Sequence, residues 1–326
     1  NRRQRQMCIR DRGEAVRIMT GAPIPGGADS VIRVEDTDGE EEAGQVRIVS
    51  DRDIGRHVRA AGQDMRAGTL LLPAGRTITP GVTGVLAAAG RSSVSVHRRP
   101  RVAILSTGDE LRTAEAYEDV RRGHGVPESN GPMLASMVRS IGAEPLSLGI
   151  APDDPAALAA SLEAGSDADV LVTIGGASMG EADLVKRVLD EMGFELDFWR
   201  VRMRPGSPIS FGWLVRDGGR QAVFGLPGNP SSAFVTFELF VRPHVLRLAG
   251  HAAVRRRTVP CIAGERFDTP AELTYFQRVH VSAEEQGLMA RLTGPQLSGL
   301  VRGLAHADGL AVVGPERPSV EPGDAV

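Results

Sequence analysis

Cysteine is nearly absent from this 326-residue chain, in which only Cys8 and Cys261 occur. Neither a disulfide framework nor a metal site built from thiolates is expected from two cysteines. Long apolar runs are lacking too: none approaches the length of a membrane span, and no signal-peptide pattern is visible. The expected compartment is the cytosol, with no membrane partner. Neither sign of charge is in excess, since 38 Lys and Arg against 41 Asp and Glu leave a formal net charge of −3. That balance gives no support to nucleic-acid binding as the main activity. Aromatics make up only 4%, so Val, Leu and Ala must fill the cores around turns built from 39 Gly and 21 Pro. Nucleophile constellations are wanting: no GxSxG run occurs, Cys8 sits in a basic tail, and the seven His show no ligand spacing. Chemistry by metal and electrostatics is favoured over covalent catalysis.

What the chain does have is length for two or three domains and one stretch that organises the rest. Residues 171–183 read LVTIGGASMGEAD. An apolar run over 170–174 breaks at Gly175-Gly176, and a helix is expected to open at Ser178, which stands to Glu181 as in a capping box. Glycines let backbone amides approach a ligand, and a helix start favours negative charge. The pattern fits a phosphate or oxyanion cradle, and the nearby acids Glu181 and Asp183 suggest a bridging divalent cation. From this stretch alone, a plain glycine-rich turn with an ordinary cap reads equally well.

The multidomain organisation follows from changes of pattern. Residues 1–12 hold five arginines, one acid and no apolar period, and are read as a non-native or disordered basic segment outside the fold. Residues 13–62 form a partial β-rich domain, with strands expected at AVRIM, around Val31 to Val34, and at 44–49. Residues 63–99 make a small α/β connecting domain with a helical run ended by Gly90. Residues 100–250 alternate strand and helix signals, the mark of a three-layer parallel α/β domain. Strands are expected at 102–106, 145–150, 169–174, 196–203, 208–214 and 222–226, and helices at 131–141, 154–164, 181–192 and 230–248. Residues 251–326 revert to short strands without a helix and are read as a β-barrel-like domain.

Three loops follow strands of the α/β domain, and loops at the carboxyl ends of one sheet share a crevice. The first carries Asp109 and Glu110, and the second is the Gly175–Asp183 cradle. In the third, 225–232, Asn229 is placed to cap a helix whose first residue is Pro230. A polar turn at Glu128-Ser129-Asn130 starts another helix beside the same crevice. Arg200, Arg202 and Arg204 recur at spacing two, which puts them on one face of a strand, suited to a polyphosphate or oxyanion. A solvated strand face is the plain alternative.

Six ordered segments now carry a resemblance: RIMTGAPIPGGADSVIRVED, AILSTGDEL, ESNGPML, GGASMGEAD, FWRVRMRPGSP and GLPGNPSSA. Together they resemble the molybdopterin molybdenumtransferase family, MoeA in bacteria, which is similar to the E domain of gephyrin. The resemblance runs from about residue 13 to the end. It implies Mg²⁺-dependent insertion of molybdate into adenylylated molybdopterin with release of AMP. Carried over by position, Asp109, Glu110 and Asp183 are expected to handle Mg²⁺ and phosphate, and Arg200 and Arg204 to contact the oxyanion. Gly175, Gly176, Ser178, Gly180, Pro227, Gly228, Asn229, Pro230 and Ser232 are expected to line the pterin and molybdate cleft. Thr20 and Asp64 resemble polar residues brought from other domains of a homodimer, and Ser298 is a further candidate from the last domain.

Two departures from the family are visible. Arg200 stands where Lys is common, which keeps the charge and changes its geometry. The family's amino-terminal segment with its DNSAMDGYA-like stretch does not occur, so a fragment is expected. Two other functions share the pattern. A pterin adenylyltransferase uses the same α/β fold but would not need β domains on both sides. A non-catalytic dimeric scaffold like the gephyrin E domain would not require the acids.

Overall fold

Val102 and Ile104 pack with one set of side chains, while Ala103 and Leu105, between and beyond them, pack with another. The same alternation separates Val170, Val172 and Ile174 from Leu171, and Ala222 and Phe224 from Val223. Successive residues of a strand point to opposite faces, so these strands are covered on both sides. In the computed structural model, residues 5–9 (backbone only), 14–39, 44–175, 183–216, 219–270 and 272–326 are described. They fall into two compact units, Asn1–Pro73 and Ala74–Val326, a division inside the 63–99 stretch.

The second unit is built on a six-stranded sheet. Its order is Glu144–Ala151, Arg101–Thr107, Val170–Ile174, Gly219–Leu226, Ser210–Arg216 and Phe194–Trp199. The first four strands run parallel, and the last two add on antiparallel. Helices Asn130–Ser140 and Pro230–Leu248 cover one face, through Leu134, Val138, Phe237, Val241 and Val245. Helices Pro155–Glu163 and Leu184–Glu191 cover the other, through Leu158, Leu162, Val185, Val188 and Leu189. This is the three-layer α/β domain expected. Each fully buried Leu contributes about 1.5–3 kcal/mol of burial. The expected single helix at 230–248 is continuous, but Phe237–Val241 takes the wider π register. Pro243 lacks an amide and cannot close an ordinary helical bond, and a wide turn before it absorbs that loss.

The last part of the chain adds a second sheet. Thr274–Glu284 pairs with Gly287–Leu292 and with Gly309–Val313, around a core that includes Phe267, Tyr275, Val279 and Val313. Contrary to expectation it contains a helical turn, Arg302–Ala305, where Gly303 packs tightly against Thr293 and Arg278. The sheet's first strand comes from far earlier in the chain: Met203–Arg204 pairs in parallel with Thr274 and Tyr275.

In the first unit, Ala15–Met19 and Val31–Arg33 pair on either side of Arg5–Ile9. The segment set aside as foreign thus supplies the backbone of a middle strand, because ladder bonds use groups that every residue but proline carries. The strand expected at 44–49 is reduced to one bridge between Thr37 and Ile48, where the amides of Val49 and Ser50 both turn to the Asp36 carbonyl. Charge replaces apolar bulk nearby. Buried Asp53 accepts Arg33 Nε at 2.9 Å and Nη2 at 3.2 Å and pairs with His57 Nε2 at 3.0 Å. The Arg33 hydrogen bond, more than any other contact, holds the Asp53 carboxyl far below the ordinary range. The helix Pro80–Ala88, capped by Thr79, opens the second unit.

Candidate functional site

The chain leaves Arg101–Thr107 for the outer strand Glu144–Ala151, then crosses back to Val170–Ile174 on the other side. The strand order therefore reverses between 101–107 and 170–174. Open α/β sheets bind ligands outside the carboxyl ends of their strands at such a point. Three loops meet there. Gly175 has φ 92°, and a Cβ on it would lie 2.8 Å from Thr107 Oγ1. Its amide donates to the Leu226 carbonyl at 3.1 Å, and a Cβ on Gly228 would lie 4.0 Å from Gly175 Cα. Thr107 Oγ1 donates in turn to the Ile174 carbonyl at 3.3 Å. Only glycine fits at 175, whereas a Cβ at 228 would make an ordinary contact.

The acids are arranged differently from one another. Gly108, at φ 138°, has the Glu110 carboxylate 2.6 Å from where its Cβ would stand. Asp109 and Glu110 are both exposed, and Asp109 Oδ1 accepts the Asp153 amide at 3.0 Å. Asp183 corrects the expected helix start: the helix is Leu184–Glu191, and Asp183 is its cap. Asp183 Oδ1 accepts the amides of Val185 at 3.0 Å and Lys186 at 3.3 Å. An aspartate two or three residues before free amides caps better than a more distant serine. Gly176, Ser178, Gly180 and Glu181 lie outside the described residues.

The arginine row is not a row. The strand ends at Trp199, and Arg200 turns to φ 67°, so the alternation that would align 200, 202 and 204 is lost. The Arg200 guanidinium lies over the Trp199 ring, 4.1 Å from its centroid. Arg202 Nη2 donates to the Glu272 carbonyl at 2.8 Å, while Arg204 pairs through its backbone with Tyr275. All three side chains are exposed.

At the third loop Asn229 takes the cap position and Pro230 the first helical position, but the Asn229 side chain makes no capping bond. Pro227, Ser231 and Ser232 are buried. Ser298 reaches this loop through its backbone: its carbonyl accepts the Ser231 amide at 3.0 Å, and Ser231 Oγ donates to the Leu300 carbonyl at 2.8 Å. A loop of the last domain therefore bonds the start of the 230–248 helix. Thr20 and Asp64 are exposed residues in turns of the first unit.

One residue escaped the sequence reading, and one polar turn that it placed beside the crevice proves to have specific partners. Arg278 is buried to 1% exposure, with Nη2 donating to the Pro295 carbonyl at 2.9 Å, and burial pushes its pKa down. A charged residue within a strand reads as outward-facing, so no local pattern announces it. Glu128 and Asn130 tie loops together below the crevice. Glu128 Oε1 accepts Ser106 Oγ at 3.0 Å and the Gly131 amide at 2.7 Å. Their signal was the polar turn itself, which starts a helix without needing three polar residues.

Among the described residues, no group of three or more His, Cys, Asp or Glu is arranged to hold a metal ion. Mg²⁺ keeps several waters and uses only one or two carboxylates beside substrate phosphates. The exposed oxygens of Asp109 and Glu110 fit that donor chemistry.

Fold and crevice define an open α/β protein of the kind that takes its ligand outside the carboxyl ends of its strands. Residues 103–247 match a probable molybdopterin binding domain, residues 2–90 the MoeA N-terminal region (domain I and II), and residues 260–326 the MoeA C-terminal region (domain IV). The molybdopterin molybdenumtransferase of Bacillus subtilis is 35% identical over 303 residues, covering 92% of this chain and 69% of the relative. That of Nostoc is 39% identical over 241 residues, covering 74% and 54%. A molybdopterin biosynthesis MoeA protein from Pyrococcus horikoshii superposes with a TM-score of 0.76 at 25% identity, over 96% of this chain and 74% of that one. The chain belongs to the MoeA family of molybdopterin molybdenumtransferases, and so to a family of enzymes in molybdenum cofactor biosynthesis. Among the described residues no helix is long and apolar enough to cross a membrane.

Proposed function

We propose that this chain inserts molybdate into adenylylated molybdopterin in a Mg²⁺-dependent reaction that releases AMP. The observation that carries the reading is the meeting of Thr107, Gly175 and Gly228 at the point where the strand order reverses. A helix start beside loops held this closely, with no side chain at Gly175 or Gly228 in the way, suits a phosphate or an oxyanion. Asp109 and Glu110 would hold Mg²⁺ together with phosphate oxygens, and Asp183 would contribute from the cap of the neighbouring helix. When bound, Mg²⁺ draws off phosphate charge during cleavage of the phosphoanhydride. Arg200 and Arg204 are exposed and free to turn toward molybdate, acting as separate cations rather than as a row. Pro227, Asn229, Pro230 and Ser232 would shape the pterin side, with Ser298 closing it from the last domain.

The proposal includes a homodimer in which Thr20 and Asp64 serve the crevice from a first unit, and a cytoplasmic location. A pterin adenylyltransferase is disfavoured, because a loop of the last domain bonds directly to Ser231 and the adenylyltransferase step needs only the α/β unit. A non-catalytic scaffold is disfavoured by exposed acids at the crevice. Mixing the purified protein with adenylylated molybdopterin, molybdate and Mg²⁺ tests the reading. AMP and metallated cofactor are expected. ATP-dependent adenylylation of metal-free molybdopterin would instead select the adenylyltransferase, and no turnover with either substrate would select the scaffold.

A further inference from the structure

The polar turn at 128–131 does work that the proposed reaction does not use. Asn130, only 8% exposed, donates from Nδ2 to the Gly228 carbonyl at 2.6 Å. Only an N–H can face a carbonyl oxygen, so the chemistry fixes which way this amide points. Its Oδ1 is buried and has no hydrogen-bond partner among the described residues. Leaving a buried acceptor unpaired is costly, and an apolar residue of similar shape would avoid that cost. Such a residue would also release Gly228. The 230–248 helix already takes the Asn229 carbonyl, through the Ala233 amide at 2.9 Å, so the Gly228 carbonyl lies outside the helical pattern and needs another donor. Two residues before Asn130, Glu128 grips Ser106 at the end of the 101–107 strand. One turn thus holds both the first and the third crevice loops.

We propose that Asn130 is a positioning residue whose amide anchors the Gly228 carbonyl and so sets the loop 227–230 for the anionic end of the substrate. The ligand's identity rests on the function proposed above; the anchoring does not. Its effect should fall on binding rather than on the chemical step, because Asn130 acts through the loop and touches no reacting atom.

Two substitutions separate the hydrogen bond from packing. Asn130→Leu keeps the branched outline of the side chain, with some added bulk, and removes the donor. Asn130→Asp keeps the shape and makes the donor depend on pH: a buried carboxyl without a cationic partner titrates high, donates when protonated, and repels the carbonyl when ionised. Hydrogen exchange of the amides of Gly228, Asn229 and Ser231 is read first, without any substrate. Asn130→Leu is expected to speed exchange there at every pH. Asn130→Asp should match the unsubstituted protein at about pH 6 and approach Asn130→Leu at about pH 8.5. In the metal-insertion assay at about pH 8.5, both should raise KM for adenylylated molybdopterin about tenfold with kcat changed by less than about threefold. Unchanged exchange in Asn130→Leu, or Asn130→Asp behaving alike at both pH values, overturns the anchor. An unsubstituted protein that does not turn over overturns the function reading while leaving the exchange result to decide on Asn130. If Asn130→Leu does not fold, the pH series on Asn130→Asp alone decides.

Discussion

The α/β sheet and the first unit hold themselves together by different means. Among the described residues, sixteen buried ones form one face of the sheet's core and twelve the other, whereas Ile18 and Val31 are the buried members of the cluster under the first unit's strands. There the weight is carried by Arg33, Asp36, Arg52, Asp53 and His57. Apolar burial is non-directional and tolerant of conditions, while a buried carboxylate is stable only as long as it keeps its charge and its donors. The contrast predicts independent responses to mutation and to acid.

The sharpest test is Phe237→Ala, which empties a fully buried position in the sheet's core. It should destabilise the second unit by about 3–5 kcal/mol. Thermal melting should move that unit's transition and leave the first unit's in place; a joint shift would show the two unfolding together and end the comparison. Next comes glycine for glycine. Gly175→Ala forces a Cβ against Thr107 at a left-handed backbone, a strain of about 1–3 kcal/mol, and should lower AMP release by about 10–100-fold. Gly55→Ala in the first unit meets nothing within 4 Å, pays only for its φ of 71°, and should leave kcat alone. Comparable losses of AMP release from both would break the link between close approach and function. Asp183→Ala removes a cap, costing the second unit about 1 kcal/mol by denaturant titration. A far larger loss of turnover than of stability would mark a second role for that carboxylate.

The last effect is read in acid, as the slope of stability against pH. Asp53 titrates lower in the folded chain than in the unfolded one, so its contribution is complete above about pH 4 and is lost as pH falls below that value. Acid titration of the first unit should show a steep limb that flattens in Asp53→Asn, where no charge remains to be lost. An unchanged limb would move the acid sensitivity to Asp36 or another carboxylate.

How much of this was legible follows from what each feature depends on. The order of strands and helices at 101–248 depends on local period and on Gly, Pro and Asn at the turns, and its main elements were read, though not the short helix Tyr117–Arg121, and the strand expected at 196–203 is Phe194–Trp199. The meeting of the first, second and third loops could be foreseen because a parallel sheet brings carboxyl ends together whatever the loop sequences. The arginine alignment depended on one backbone angle at Arg200, which residue type does not dictate. The cap was expected at Ser178, and the cap at Asp183 went unread because a serine and an aspartate five residues apart both suit a helix start. Arg278 was out of reach, and Asn130 was legible as part of a polar turn but its partner was not, because both bond backbone carbonyls from distant segments, and a carbonyl leaves no mark in the sequence.

The pairing of Met203–Arg204 with Thr274 and Tyr275 bears on how the polypeptide is made. A ribosome delivers the α/β strands first, and with them a short backbone ladder left waiting for a partner some seventy residues downstream. When Thr274 emerges, its alignment is set by a template already in place, since its amide bonds the Arg202 carbonyl at 3.1 Å. The β hairpins that follow then grow outward from a fixed edge instead of searching for register among themselves. Cut loose from its template, the same carboxyl-terminal segment would carry a bare edge at Thr274, open to pairing with its own copies. The order of translation is thus built into the architecture.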